Sequence, residues 1–105
     1  MLKKTYSLSQ AASIELEDRV DTFSAPDLRD FFAELLEKGV KDFTVNLEKV
    51  SFLDSAGLAA LVQLLKNARE KGGDVTLILP KDENVQRIFR LTKFDRVFKI
   101  APSSV

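Results

Sequence analysis

A hydroxyl and a carboxylate stand side by side in Asp54-Ser55-Ala56-Gly57, between a short apolar segment at 50–53 and an amphipathic stretch that begins at Leu58. This arrangement predicts that Ser55 lies where a loop enters a helix. A helix N-terminus carries unpaired backbone N–H groups and a partial positive charge, so it can hold an added phosphate or an acidic partner. Ser55 is therefore the best candidate in the chain for a regulatory modification.

Helix capping is a competing interpretation of the same residues. Aspartate and serine are preferred immediately before a helix, and Gly57 could simply ease a tight turn. A second carboxylate, Asp21, lies in the polar turn 21–24, and loops that lead from strands into helices cluster at one edge of an α/β sheet. Asp21 and Asp54 could therefore be neighbours, either orienting the hydroxyl for a kinase or acting only as turn former and cap. A metal site would need more oxygen ligands than these two residues supply.

The composition excludes several classes of function. The chain has 105 residues, enough for one domain, and its 16 basic and 16 acidic residues leave no net charge to attract nucleic acid or an anionic membrane. It has no cysteine and no histidine, which excludes disulfides, thiolate zinc sites, a cysteine nucleophile and a Ser-His-Asp triad. The N-terminus lacks an apolar signal segment and the longest apolar run, 58–62, is too short to span a membrane. We expect a cytoplasmic protein without cofactor, metal or membrane insertion.

Hydrophobic periodicity predicts an α/β fold. Alternation with period two indicates strands near 6–8, 14–16, 43–47 and 75–79, with a weaker candidate at 97–100. Helical periodicity indicates helices over 28–36, 58–68 and 85–89, with Ser24 as the predicted cap of the first. Polar residues such as Glu15, Thr44 and Thr76 interrupt the strands at every second position, which is typical of a sheet with one wet face. The helices would then cover the other face and give two layers.

The second predicted helix should surround the serine with small side chains. Its apolar stripe contains Leu58, Leu61, Val62, Leu65 and Ala68. At 100° per residue, Ser55, Ala59, Gln63 and Lys66 lie beyond that stripe and should be exposed. Three alanines, Ala56, Ala59 and Ala60, are predicted on the outward side, where a partner's backbone could approach closely. Alanine is also the best helix former, so this pattern alone does not require a partner.

Residues 50–58, Val-Ser-Phe-Leu-Asp-Ser-Ala-Gly-Leu, resemble the strand-loop-helix signature of the STAS domain, and within it that of the bacterial anti-sigma factor antagonists. Val20-Asp21, followed by Ala25 and Leu28-Arg29, resembles the family's turn into its first helix, and residues 85–89 resemble its third helix. The resemblance spans roughly residues 5–100. It implies a single STAS domain over 1–105, with a mixed, mostly parallel sheet and amphipathic helices on one face.

The resemblance also implies a function. In the family, the serine that follows the aspartate is phosphorylated by an ATP-dependent kinase that is itself the anti-sigma factor, so Ser55 would be the modification site. The unmodified antagonist binds this kinase and frees a sigma factor; the phosphorylated form dissociates and is restored by a serine phosphatase. This chain would be a substrate and ligand rather than an enzyme, monomeric when free. Its expected partner-binding residues are Asp21, Thr22, Asp54, Ser55, Ala56, Gly57, Ala59 and Gln63.

Other interpretations remain open at this point. The chain could be a STAS adaptor in a stressosome-like or lipid-transport complex, with Ser55 as an interface residue that is not phosphorylated. A small-ligand role has less support, because no Gly-rich phosphate loop is present. The sequence departs from the family at Asp18, where glycine is common before the turn, so the backbone there is expected to differ.

Overall fold

The computed structural model describes residues 2–8 and 10–102, with side chains from residue 10 onward. Within these residues, five strands and three helices follow one another in the order β1 (Leu2–Leu8), β2 (Ala11–Val20), α1 (Ala25–Glu37), β3 (Asp42–Leu53), α2 (Ser55–Glu70), β4 (Asp74–Ile78), α3 (Glu83–Thr92) and β5 (Lys99–Ala101). A short 3₁₀ helix, Phe94–Arg96, precedes β5. The predicted element order is confirmed, including the weak last strand.

The strands form one sheet whose spatial order, β1-β2-β3-β4-β5, is the order of the chain. β1 is antiparallel to β2, while β2 to β5 are parallel to one another. In the centre of the sheet Val45 pairs with Ile14 on one side and with Leu77 on the other. The sheet is therefore mixed and mostly parallel, as the STAS resemblance implies.

One face of the sheet is buried and the other is not, which gives the predicted two layers. Ile14, Val45 and Leu77 are completely buried on the face that carries the helices. The alternate positions, among them Thr44 and Thr76, are only half-buried. A parallel sheet covered on one face alone needs polar side chains on the other, and the alternation in the strands supplies them.

Helix α2 contacts both the sheet and α1, so its buried surface is wider than its sequence pattern predicts. Leu64 and Ala60 are 1% exposed, although Ala60 was expected to point outward. That expectation was wrong because a single stripe describes packing against one neighbour, whereas α2 has two. Ala59 and Gln63 remain exposed as predicted.

Several boundaries differ from the sequence pattern. Strand β3 continues through residues 50–53, with register shifts against β2 in this region, so the apolar segment before Asp54 belongs to a 12-residue strand. β4 ends at Ile78 rather than Leu79. In β2, Asp18 has a φ of 63°, in the left-handed region that favours glycine. The backbone thus takes a glycine-type conformation at Asp18 in spite of its side chain.

None of the helices within the described ranges combines the length and the apolar character needed to cross a membrane.

Candidate functional site

Asp54 begins helix α2 and also fixes the neighbouring turn. Its Oδ1 accepts a hydrogen bond from the backbone N–H of Gly57 at 3.0 Å, the ordinary N-cap interaction. Its Oδ2 accepts from the backbone N–H of Thr22 at 2.9 Å and from the Thr22 hydroxyl at 3.0 Å. One carboxylate therefore ties the loop between β2 and α1 to the start of α2.

These donors lower the pKa of the Asp54 carboxyl. The largest cause is the hydrogen bond from Gly57; partial desolvation acts in the opposite direction and is outweighed with the help of the N–H and hydroxyl of Thr22. Hydrogen bonds to the charged form favour ionisation. Asp54 is therefore negatively charged at neutral pH, directly beside Ser55.

Gly57 lets α2 approach the end of β2. It is buried, and a Cβ at this position would overlap the backbone carbonyl oxygen of Val20. The same carbonyl accepts a hydrogen bond from the backbone N–H of Asp54 at 3.3 Å. Gly57 therefore positions the site from beneath, and its expected contact with a partner stays a prediction.

Asp21 holds the adjacent turn from inside. It is 8% exposed, and its Oδ1 accepts from the backbone N–H groups of Phe23 at 3.0 Å and Ser24 at 3.1 Å. Its Oδ2 pairs with Nε of Arg19 at 3.2 Å. Ser24 was expected to cap α1 with its side chain, but it makes no such bond; its hydroxyl instead accepts from the backbone N–H of Asp21 at 2.9 Å.

Burial and hydrogen bonding act in opposite directions on Asp21. Burial raises the pKa of its carboxyl, while the hydrogen bonds from Ser24, Arg19 and Phe23 lower it, and the net shift is downward. The carboxylate is thus ionised and fully engaged inside the turn. It reaches the site indirectly, through Thr22 and its bonds to Asp54.

Ser55 is the first residue of α2 and is exposed. Among the residues that the structure describes, none forms a hydrogen bond with its hydroxyl. The capping interpretation therefore applies to Asp54 and leaves the hydroxyl of Ser55 accessible. Ala59 and Gln63 continue the exposed side of α2, while Ala56 is half-buried.

Two aromatic residues near the site were not singled out from the sequence. Phe23 is 91% exposed at the tip of the turn, and Phe52 is 37% exposed, with the guanidinium of Arg19 4.0 Å from its ring centroid. A phenylalanine inside a polar turn is the sequence signal for Phe23.

A shallow depression of about 360 Å³ adjoins the turn. It is lined by Thr22, Ala25, Pro26, Arg29, Asp30 and Ala56.

Among the described side chains, Asp21 and Asp54 do not belong to a larger cluster of metal-ligating residues. Within residues 10–102 no three side chains of the types that ligate metals lie close enough together to hold an ion. Both carboxylates bind N–H and O–H donors of their own chain, which matches the turn-forming and capping roles.

Residues 4–105 match the sequence profile of the STAS domain, so the chain belongs to the STAS domain family. Its relatives within that family include anti-sigma factor antagonists. The anti-sigma-B factor antagonist of Staphylococcus aureus is 29% identical over 79 residues, which cover 75% of this chain and 72% of the relative.

Solved structures of the same class share the fold. An anti-sigma factor antagonist from Mycobacterium paratuberculosis superimposes with a TM-score of 0.83 at 18% identity, covering 99% of this chain and 86% of that one. The anti-sigma factor antagonist SpoIIAA in its unphosphorylated form gives 0.77 at 16% identity, covering 99% and 88%. The phosphorylated form of SpoIIAA from Bacillus gives 0.72 at 15%, covering 99% and 90%. The resemblance stated from residues 50–58 is thus confirmed.

Proposed function

We propose that this protein is a phosphorylation-controlled partner switch. In its unphosphorylated form it binds an anti-sigma factor that is also a serine kinase, and this binding releases a sigma factor. Transfer of a phosphate from ATP to Ser55 ends the complex, and a serine phosphatase restores the binding form. The chain acts in the cytoplasm, as a monomer when free, and serves as substrate rather than enzyme.

The observation that carries the proposal is the exposed hydroxyl of Ser55, accessible in the first turn of α2 because Asp54 does the capping. A kinase needs a reachable hydroxyl on a firm support. The N-terminal end of the helix dipole favours added negative charge, so the domain can carry the phosphate without unfolding. That SpoIIAA, which has the same fold, has been solved in a phosphorylated form also supports the proposal.

Charge supplies the switching energy. A phosphoserine adds about −1.5 to −2 charges at neutral pH, next to the ionised Asp54. Both oxygens of Asp54 already accept hydrogen bonds from Gly57 and Thr22, so Asp54 stays in place beside the added phosphate. A partner that binds this site must then remove water from two adjacent negative groups instead of one. A penalty of about 3 kcal/mol weakens binding roughly a hundredfold.

The direct test is mass spectrometry of the protein after incubation with ATP and each anti-sigma factor of the source genome that carries a serine kinase domain. We expect one phosphate, located on Ser55, in the wild type and in Ser51→Ala, which removes the nearest exposed serine of β3. Ser55→Ala should incorporate none. Binding without any phosphate on Ser55 would instead identify a STAS adaptor, and phosphate on another residue would contradict the proposal.

A further inference from the structure

Phe23 is the most exposed large hydrophobic residue within residues 10–102, with 91% of its surface accessible. We propose that it is the apolar anchor by which the anti-sigma factor kinase holds this protein while Ser55 occupies the nucleotide site. This inference rests on the proposed function and adds the chemistry of the partner. The kinase would have an apolar pocket that takes one aromatic ring and lies close to its bound nucleotide.

The turn presents Phe23 in a fixed position. Every backbone N–H from Asp21 to Ala25 donates a hydrogen bond. The N–H of Asp21 donates to the Ser24 hydroxyl, that of Thr22 to Asp54, those of Phe23 and Ser24 to the Asp21 carboxylate, and that of Ala25 to the Asp21 carbonyl at 2.8 Å. A ring held on such a turn loses little conformational freedom when it binds. An exposed aromatic ring is costly in water unless a partner covers it, and preorganised aromatic residues are typical binding hot spots.

The position of the turn determines which partner covers the ring. Thr22, the residue before Phe23, donates two hydrogen bonds to Asp54, and Asp54 immediately precedes Ser55 in the sequence. A stable protein complex buries about 800 Å² on each partner. Because Thr22 lies against Asp54, an interface of this size centred on Ser55 extends over the turn that carries Phe23.

A second copy of this chain fits the surface less well. Among the described residues, Phe52 is the other exposed aromatic residue beside the site, and the guanidinium of Arg19 already lies 4.0 Å from its ring centroid, so Phe23 supplies most of the uncovered aromatic surface there. That area is far below what a stable dimer buries. It does suit a single pocket, with the depression between Pro26 and Ala56 available to a side chain of the partner.

The test compares Phe23→Ala with Leu91→Ala. Leu91 is also a largely exposed apolar residue, at 76%, but it lies in the last turn of α3, where the chain returns toward the start of β5, whereas the Asp21 turn follows the end of β2. Both variants are assayed with the anti-sigma factor kinase that phosphorylates the wild type. We expect Phe23→Ala to raise two quantities by about thirtyfold: the KM for phosphate transfer to Ser55, and the Kd of the complex with the ADP-bound kinase. The kcat and the thermal midpoint should not change. Phe23→Leu should give an intermediate Kd, and Leu91→Ala should match the wild type.

The outcomes separate this inference from the proposed function. If the wild type is bound and phosphorylated while Phe23→Ala behaves identically, Phe23 is not an anchor and only this inference fails. If no kinase binds or phosphorylates the wild type, the proposed function fails first. If sedimentation shows that the wild type self-associates and Phe23→Ala does not, the ring is covered by a second copy, and the assignment to the kinase is overturned.

Discussion

At the residue scale, Asp54 divides its two oxygens between different elements. One caps α2 through Gly57 and the other holds Thr22 in the preceding loop. The serine that follows is therefore carried on a junction fixed from both sides. This explains how a residue at a loop-to-helix boundary can remain both accessible and well positioned.

A negative side chain at position 55 should weaken binding without unfolding the domain. We expect Ser55→Asp to reduce affinity for the anti-sigma factor by about tenfold or more, because it adds charge beside the ionised Asp54. Its thermal midpoint should stay close to that of the wild type, since an acidic residue in the first turn interacts favourably with the helix dipole. Calorimetric titration and thermal unfolding measure the two quantities.

Ser13→Asp is the matched control for this charge. Ser13 is exposed near the start of β2, at the opposite edge of the sheet from Ser55. Its variant should bind like the wild type. Equal affinities for Ser55→Asp and wild type would remove the electrostatic mechanism, and a large loss of stability in Ser55→Asp would mean that the hydroxyl has a structural role.

The sequence predicted part of this site well. The turn that contains Asp21 lies beside Asp54, because loops after parallel strands meet at one edge of the sheet, but the contact is made by Thr22 and not by the Asp21 carboxylate. The burial of Gly57 was not predictable in the same way. It depends on how closely α2 approaches the end of β2, which is a tertiary distance and not a local preference.

At the scale of elements, the contact between α2 and β2 depends on the missing side chain of Gly57. Gly57→Ala would force a Cβ against the carbonyl oxygen of Val20 and the side chain of Leu53. We expect a loss of about 1–3 kcal/mol in the free energy of unfolding, typical of overpacking. Urea denaturation checks this, with Ala59→Ser on the exposed side of the same helix as a control that changes stability little. A neutral Gly57→Ala would show that the junction can open without cost.

Two residues outside the site adopt left-handed backbone conformations without being glycine. Asp18 has a φ of 63° and Lys93, at the end of α3, has a φ of 61°. Replacing either with glycine relieves a steric cost, so Asp18→Gly and Lys93→Gly should each stabilise the domain by about 0.5–1 kcal/mol.

The control for these variants is Lys66→Gly, an exposed position inside α2. There glycine has no strain to relieve and should cost about 1 kcal/mol. Denaturant midpoints compare all three proteins, and destabilisation by Asp18→Gly comparable to that of Lys66→Gly would contradict the strain at Asp18. The sequence had marked Asp18 as a departure from the family, but only the backbone angle gives the direction of the expected effect.

At the scale of the whole molecule, four ionisable groups have shifted pKa values. They should make the free energy of unfolding depend on pH only in strongly acidic and strongly alkaline solution. The pKa values of Asp21, Asp54 and Asp74 are lowered. For Asp74, burial raises the pKa, but the hydrogen bonds from the Val75 N–H and from Arg69 outweigh it. The pKa of Lys49 is raised, chiefly by its hydrogen bond and ion pair with Glu15. The carboxylates stabilise the fold above their unfolded pKa of 3.8, and this is lost as pH falls through their lower folded values. The lysine contributes below 10.5 and loses its contribution as pH rises through its higher folded value.

We therefore expect the free energy of unfolding to fall below about pH 4, with no change from these four groups between about pH 5 and pH 10. Urea unfolding between pH 2 and 7 measures the acid limb. Asp54→Asn keeps an oxygen acceptor for Gly57 but removes the titration, so its acid limb should be shallower than that of the wild type. Identical slopes would show that Asp54 contributes nothing to the acid sensitivity.

The two-layer architecture was predictable from the sequence because the polar alternation in the strands reports a wet face directly. The width of the buried side of α2 was not, because Ala60 and Leu64 are buried in a helix that contacts α1 as well as the sheet, and a single helix pattern does not reveal a second neighbour.

The agreement between strand order and chain order bears on how the molecule is made. As synthesis proceeds on the ribosome, each newly emerged strand finds its pairing partner already in place, separated from it by only one helix and short connections. Such step-by-step growth closes small loops and exposes little unpaired edge to other nascent chains. Once the serine-bearing segment has emerged, the strand that leads into the Asp21 turn is available to receive it, so the junction between Thr22 and Asp54 can form before β4, α3 and β5 have folded.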